Sequence, residues 1–181
     1  MKQMLLLVAL CAPVWIWGQN PVSVGGYAGM FDCNMDGKFT ESKSRSAFGG
    51  SLWAEWNVKE WLGLKSELSY MPRGGQIEGV ELEANYLALS VTPRFHLADG
   101  SSPAHLVAGV GVFTHLMALG DKDQALNTGD VGACIELGVE WRLFSILAKG
   151  QIGFLDVIPG LDKSQRWGAF GLGIEVPFLR R

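Results

Sequence analysis

The feature that most constrains the fold is an alternation of apolar residues with small or polar ones, which recurs about eight times along the chain. In the clearest segment, apolar residues at odd positions from Val131 to Trp141 alternate with Gly, Cys and charged residues at even positions. A period of two residues is that of a β-strand, because successive side chains point to opposite faces of a sheet. The sequence has no internal apolar run of about 20 residues, so we expect no membrane-spanning helix.

The alternation predicts eight strands whose connections differ in length. The predicted strands cover residues 22–31, 45–58, 61–72, 83–97, 104–117, 130–142, 145–157 and 167–178. The connections after the even-numbered strands are short, and the longer connections after the odd-numbered strands cover residues 32–44, 73–82, 118–129 and 158–166. Short turns that alternate with long loops, and an even number of strands, are typical of an outer-membrane barrel.

The composition of the two strand faces distinguishes a membrane barrel from a soluble one. One face is mostly large and apolar, and the other is dominated by Gly, Ala and Ser with occasional charges. Small residues suit a crowded lumen and large apolar residues suit a lipid-facing band, whereas a water-facing strand is more polar. The mean hydropathy of +0.17 is also high for a soluble protein. We therefore predict an all-β fold, a closed eight-stranded antiparallel up-and-down transmembrane barrel in the cell outer membrane.

Aromatic residues cluster where predicted strands end, which is typical of the girdles of a transmembrane barrel. Those near the short-turn end are Trp56, Trp61, Phe95 and Trp141. Those near the long-loop end are Tyr70, Trp167 and Phe170. Trp53 shares a face with the small and charged residues of its strand, so we expect it to fill the interior.

The N-terminal segment has the pattern of a secretory signal peptide. Lys2 supplies a positive charge, residues 4–16 are apolar, and a small residue ends the segment. We therefore divide the chain into a signal peptide, residues 1–18, and an outer-membrane barrel domain, residues 19–181. An N-terminal anchor helix is disfavoured because the apolar stretch is short and Pro13 interrupts it.

Parts of three predicted strands are similar to a known family of barrels. They are residues 86–95 in the fourth strand, 109–111 in the fifth, and 130–132 and 138–141 in the sixth. Together they resemble the PorT-like outer-membrane β-barrel family, a Bacteroidetes-type barrel domain, over nearly the whole mature chain. The resemblance implies the same fold and transfers no catalytic residue. The family usually has a proline earlier in the fourth-strand motif, where this chain has Ser90 and carries its proline at Pro93.

The last predicted strand carries a second resemblance. Residues 173–178 alternate in polarity and end in Phe178, which resembles the C-terminal signal that the barrel assembly machinery reads. The resemblance implies that this machinery is a partner during insertion. The alternative is that any last strand of a barrel carries the same pattern, and here three further residues follow the phenylalanine.

Nine charged residues are predicted to point into the lumen. They are Glu55, Lys65, Glu67, Arg94, Glu136, Glu140, Arg142, Lys149 and Glu175. An eight-stranded barrel is only wide enough for side chains to fill it, and a buried charge must be paired because its desolvation costs several kcal/mol. The favoured interpretation is a lumenal salt-bridge network that plugs the barrel. A narrow or gated conducting path along the same charges is the alternative.

Patterns for other chemistry are weak. Thr114 and His115 place a hydroxyl beside an imidazole, but adjacent residues of a strand point to opposite faces, so no catalytic residue is predicted. His96 and His105 flank one turn, yet a metal site needs further ligands and none has a defined spacing. Asp32 begins an Asp-x-Asn-x-Asp-Gly segment, the opening of a calcium loop. A solvated turn rich in Asx residues is the favoured interpretation there.

Charge and cysteine content complete the expectations. The net charge of −3 and the lack of a basic cluster argue against nucleic-acid binding. Cys33 and Cys134 fall on strands that are not neighbours, so we expect two free thiols. We expect a non-enzymatic, side-chain-plugged barrel without a cofactor. It would act as a structural or interaction component of the cell envelope, with outer-membrane lipid and another envelope protein as partners. The alternative function is a small-solute or ion pore.

Overall fold

The computed structural model describes residues 22–37, 42–77, 80–97, 103–120, 129–155 and 165–179. The predicted signal peptide lies outside these residues. Within them the chain forms eight antiparallel strands in one closed barrel, which confirms the predicted fold class. The same ranges contain no helix that is long and apolar enough to cross a membrane.

Each strand pairs with the next one along the chain, and the last pairs with the first to close the barrel. The strands are β1 Val22–Gly37, β2 Ser42–Lys59, β3 Leu62–Ile77, β4 Val80–Leu97, β5 Ala104–Gly120, β6 Gly129–Trp141, β7 Ser145–Gly153 and β8 Gln165–Leu179. Closure removes the free sheet edges, whose backbone groups lipid could not hydrogen-bond.

The two ends of the barrel differ in their connections. At one end, which we call the turn end, residues 60–61 join β2 to β3 and residues 142–144 join β6 to β7. The first residues of β1 and the last of β8 also lie there, because Val24 pairs with Leu179. At the opposite end, which we call the loop end, eight residues join β5 to β6 and eleven join β7 to β8, but four join β1 to β2 and two join β3 to β4. Six residues, 98–103, join β4 to β5 at the turn end, so the predicted alternation of short and long connections holds only from β5 onward.

Side chains on the outer face are apolar and exposed. Phe48, Val110 and Leu137 expose 77%, 65% and 60% of their surface. Inward-facing Glu55 and Glu136, which lie on two of the same strands, expose only 3% and 6%. The barrel therefore has the apolar outside and charged inside that the alternation predicts.

Several strands continue past their predicted ends at the loop end. Residues 32–37, predicted as part of a loop, belong to β1, and residues 73–77 belong to β3. By contrast, β7 ends at Gly153, before its predicted end at residue 157. On the outer face of the extended part of β1, Asp32 is exposed and polar. A strand that continues beyond the lipid has no apolar face, so alternation does not reveal it.

The extension of β1 also bears on the calcium alternative. Asp32 pairs with Ser46 of β2, and Asp36 pairs with Arg166 of β8. In an extended strand the Cα atoms of two residues four positions apart are separated by about 13 Å. A calcium loop instead folds its acidic residues into a compact turn around one ion. The calcium alternative is therefore wrong for residues 32–37.

Aromatic side chains form a girdle at the turn end. The rings of Trp61 and Phe95 stack with centroids 6.1 Å apart, and those of Trp141 and Phe144 stack at 5.1 Å. The ammonium of Lys59 lies 5.3 Å from the centroid of the Trp61 ring. Amphipathic rings of this kind suit the boundary between lipid tails and headgroups.

Candidate functional site: the barrel lumen

Seven of the nine predicted lumenal charges are buried inside the barrel. They are Glu55, Lys65, Glu67, Arg94, Glu136, Lys149 and Glu175. They come from β2, β3, β4, β6, β7 and β8, so six of the eight strands contribute. We call these seven residues the charged layer.

Arg94 links three carboxylates of the charged layer. Its Nε donates to Glu136 Oε1 at 2.6 Å, and its Nη1 donates to Glu55 Oε2 at 3.1 Å. Glu175 accepts from both Nη1 and Nη2, at 2.8 and 3.1 Å. A guanidinium holds its N–H donors in a fixed plane, which suits this forked recognition of carboxylates. Arg94 thereby cross-links four strands, β2, β4, β6 and β8, through the middle of the barrel.

Lys65 is the second centre of the charged layer. Its Nζ lies 3.2 Å from Glu136 Oε2 and 3.3 Å from Glu67 Oε2, and it also forms an ion pair with Glu175. Glu136 and Glu175 contact both Lys65 and Arg94. The two cations and their carboxylates consequently form one connected network rather than separate pairs.

Two cations of the charged layer also lie against aromatic rings. The Nζ of Lys149 donates to both carboxylate oxygens of Glu67, at 2.6 and 2.8 Å, and lies 3.8 Å from the centroid of the Tyr27 ring. The Nζ of Lys65 lies 5.5 Å from the centroid of the Trp53 ring. A ring face attracts a cation more strongly when both are withdrawn from water. Trp53 is buried in the interior, as predicted.

His96 and Glu140 extend the charged layer toward the turn end. His96 Nε2 lies 2.6 Å from Glu55 Oε1, and its Nδ1 lies 3.4 Å from Glu140 Oε2. Both side chains are partly buried. Glu140, the eighth predicted lumenal charge, is thus connected to the layer through His96. Both ring nitrogens of His96 therefore face carboxylates.

Arg142, the ninth predicted lumenal charge, was placed wrongly. It lies in the turn at residues 142–144, where its side chain is exposed. β6 ends at Trp141, and the prediction extended the alternation one residue too far. Once the chain leaves the extended conformation, counting by twos no longer assigns a residue to a face.

Glycines make room for the charged layer. A Cβ at Gly109 would lie 2.7 Å from Thr92 Cγ2 and 3.0 Å from Glu136 Cγ, and one at Gly63 would lie 2.8 Å from Glu55 Cδ. These separations are too short for carbon atoms that are not bonded to each other. Because the interior of an eight-stranded barrel is narrow, the long charged side chains fit only where the residues beside them lack a side chain.

An aromatic layer fills the lumen nearer the loop end, and the sequence did not reveal it. It consists of Phe31, Tyr86, Phe113, His115 and Trp167. The His115 ring lies 4.2 Å from that of Phe113 and 5.5 Å from that of Tyr86, and the Tyr86 ring lies 6.4 Å from that of Trp167. Trp167 was predicted for the outer girdle but is only 2% exposed. Residue 167 has an odd number, like the inward-facing Ala169 on the same strand, and this parity indicated that Trp167 points into the lumen.

Cys33 and Cys134 lie in the lumen and are not joined by a disulfide. The Cys134 sulfur is 3.5 Å from Thr92 Oγ1, and the Cys33 sulfur is 3.7 Å from the carbonyl oxygen of Pro72. Both thiols are buried. They are therefore native probes of whether water and small reagents enter the lumen.

A cavity of about 10 Å³ lies beside Lys149, which is enough for about one water molecule. It is lined by Tyr27, Phe31, Gly50, Glu67, Ser69, Tyr70, Met71, Lys149 and Gln151. Across the residues that the structure describes, no group of three or more His, Cys, Asp or Glu is placed to hold a metal ion. The described part of the lumen thus holds charges that are paired with one another.

Comparison with known proteins concerns the fold. No protein-family model and no curated protein matches the sequence. Among solved structures, Neisserial surface protein A matches with a TM-score of 0.54 and 15% identity, over 87% of this chain and 99% of that chain. Ail of Yersinia pestis matches with a TM-score of 0.49 and 16% identity, over 88% of this chain and 99% of that chain. The N-terminal β-barrel domain of Pseudomonas aeruginosa OprF matches with a TM-score of 0.45 and 18% identity, over 90% of this chain and 100% of that chain.

The chain folds as an outer-membrane β-barrel. At 15% identity the likeness to Neisserial surface protein A shows the fold alone. The outer face indicates which solvent surrounds the barrel, because every strand contributes large apolar side chains that are exposed there. Such a face is stable in lipid and not in water, so the barrel lies in the outer membrane.

Proposed function

We propose that this protein is a non-enzymatic outer-membrane barrel whose lumen is plugged by side chains and which acts as a structural or interaction component of the cell envelope. The observation that carries the proposal is the charged layer, in which Arg94 on β4 and Lys65 on β3 join carboxylates from β2, β3, β6 and β8. Side chains that cross-link the wall through the middle of the lumen occupy the space that a conducting pore would need.

The energetics of buried ions support plugging over conduction. An ion that crossed the charged layer would have to displace a paired carboxylate or cation. Breaking a buried ion pair costs about 3–5 kcal/mol, because the remaining charge is left uncompensated. Arg94 takes part in three such pairs and Lys65 in three, so each of these two cations keeps two ion pairs when one is broken.

The origin and assembly of the barrel belong to the same proposal. Export by a signal peptide at residues 1–18 and insertion by the barrel assembly machinery, guided by residues 173–178, fit the sequence patterns. Membership of the PorT-like barrel family fits the motifs at residues 86–95 and 138–141. These points rest on resemblance, and the fold is compatible with all of them.

Single-channel recording tests the plugged lumen. The folded protein, identified by different migration of boiled and unboiled samples on a denaturing gel, is reconstituted in a planar bilayer. We expect no steady openings, while a porin of known conductance in the same bilayer reports that small currents are detectable. Steady, reproducible openings would overturn the plugged lumen and favour the small-solute or ion pore.

In-cell cross-linking tests the interaction role. A photoreactive amino acid is placed at the exposed turn residues Glu60 and Leu143, and the lipid-facing Val110 serves as the matched control. We expect the turn positions to capture one recurrent envelope protein and the control to capture lipid. Capture of lipid and abundant neighbours alone from all three positions would contradict an interaction role.

A further inference from the structure

His96 occupies an unusual position at the turn end of the lumen. It is on β4, one residue before the strand ends, and its two ring nitrogens face carboxylates from two other strands. Glu55 on β2 lies 2.6 Å from Nε2, and Glu140 on β6 lies 3.4 Å from Nδ1. The imidazole thus joins three strands across the mouth of the barrel.

The two contacts together indicate the protonation state of the ring. A neutral imidazole carries a proton on one nitrogen and a lone pair on the other, whereas an imidazolium donates from both. An ionised carboxylate only accepts hydrogen bonds. A neutral His96 would therefore direct a lone pair at a carboxylate oxygen, and an imidazolium would satisfy both Glu55 and Glu140.

The charge of the buried layer gives an independent argument. Its carboxylates are Glu55, Glu67, Glu136 and Glu175, and its cations are Lys65, Arg94 and Lys149. Four negative charges face three positive ones, and an uncompensated buried charge is costly. An imidazolium at His96 supplies a further positive charge between Glu55, which contacts Arg94 at 3.1 Å, and Glu140, a fifth carboxylate that is partly buried.

We propose that His96 is held as an imidazolium and acts as a proton-dependent latch, which closes the turn end of the lumen by joining Glu55 to Glu140. This inference rests on the proposed plugged lumen and names the group that regulates it. Other ionisable residues around the latch are Arg94 on β4, His105 on β5 opposite Glu140, and Glu136 on β6. Arg94 is compensated by its own carboxylates, so its charge does not replace that of His96.

Loss of the proton from His96 would open the latch, so the pH dependence of opening has a defined sign. The positive charge is present at low pH and disappears as the pH rises until the imidazole is neutral. The buried layer then carries one excess negative charge, which favours entry of water and cations at the turn end. Opening should therefore increase with rising pH, and any current should be cation-selective.

Nitrogen NMR of the folded protein in lipid nanodiscs tests the charge directly. The protein is labelled with ¹⁵N-histidine, and the His96 signals are assigned by their loss in His96→Gln. We expect both His96 ring nitrogens to be protonated at about pH 7, where an ordinary imidazole is mostly neutral. A single protonated nitrogen on His96 at about pH 7 would overturn the inference.

Conductance of matched variants tests the latch. His96→Gln keeps a hydrogen-bonding side chain but removes the charge. Glu140→Gln removes the carboxylate that faces His96 Nδ1 and leaves the seven residues of the charged layer unchanged. We expect the frequency of current openings to be at least about tenfold higher in each variant than in the wild type, because one contact that closes the turn end of the lumen is lost. Arg142→Gln removes an exposed charge from the same end and should behave as the wild type.

The outcomes separate this inference from the proposed function. Steady openings of the wild type at about pH 7 would contradict the plugged lumen itself. A silent wild type, with variants that are folded by gel migration and equally silent, would leave the plug intact and overturn the latch. A silent wild type whose openings appear in both variants and at raised pH would support the latch.

Discussion

The charged layer and the aromatic layer occupy one lumen and are stabilised by different physical interactions. In the charged layer each carboxylate has a cation within 3.1 Å, so stability depends on complete pairing. In the aromatic layer, buried rings lie 4.2 to 6.4 Å apart, so stability depends on area and shape. Removing one partner from the first leaves a bare charge, and removing atoms from the second leaves a small void. The two layers should therefore respond differently to substitution.

The largest effect is expected at Arg94. Arg94→Met removes the partner of three carboxylates and should lower the free energy of unfolding by about 5 kcal/mol or prevent folding. Urea titration of tryptophan fluorescence in lipid vesicles measures this, and gel migration reports the folded fraction. Arg142→Met, which changes an exposed arginine in a turn, should shift the free energy by less than about 0.5 kcal/mol. Equal effects of the two substitutions would contradict the role given to Arg94.

A double-mutant cycle on Lys149 and Glu67 separates pairing from packing. Lys149→Met leaves Glu67 with Lys65 at 3.3 Å and should cost about 3 kcal/mol. Adding Glu67→Gln removes the carboxylate charge that has lost its Lys149 partner, so the double variant should be more stable than Lys149→Met alone by about 1 kcal/mol. The same urea titration measures all four proteins. Additive losses would show that pairing does not govern this layer.

Gly109 tests how tightly the charged layer is packed. Gly109→Ala places a Cβ 2.7 Å from Thr92 Cγ2 and should cost about 1–3 kcal/mol through overpacking. Gly50→Ala is the matched control, because its Cβ would meet only a backbone oxygen at 3.3 Å. The control should change the free energy of unfolding by less than about 0.5 kcal/mol. Indistinguishable variants would indicate a loosely filled lumen.

The smallest effect is expected in the aromatic layer. Phe113→Leu keeps an apolar side chain of similar size beside His115, so the free energy of unfolding should fall by only about 1 kcal/mol. Phe48→Leu changes a ring that is 77% exposed on the outer face and should have almost no effect. Both are compared in the same vesicles. A loss at Phe113 as large as that at Arg94 would remove the distinction between the layers.

Much of the fold could be predicted from the sequence, because a membrane barrel places a different solvent on each side of its wall. The alternation through residues 131–141 gave the faces of β6 directly. It failed where the strand or the lipid ends. Arg142 follows the last residue of β6, and residues 32–37 of β1 continue past the apolar band.

The candidate site was predictable as a set of residues but not as a set of contacts. Alternation places Arg94 and Glu175 on the inner face, yet they lie on β4 and β8, which are not neighbours in the sheet. Which inward residues meet across the lumen depends on the stagger of the strands, and a local pattern does not contain it. Trp167 was misplaced for a different reason, since its aromatic character was given more weight than its odd position.

The reactivity of the native thiols tests the filled lumen most directly. Cys33 and Cys134 are buried in the lumen, and Leu143→Cys would add a thiol at a turn residue that is 75% exposed. The folded, mature protein in lipid vesicles is treated with a small charged thiol reagent and labelling is followed by mass spectrometry. We expect the added thiol to react fully and both native thiols to react only after unfolding. Labelling of Cys134 in the folded barrel at the rate of the added thiol would contradict a plugged lumen.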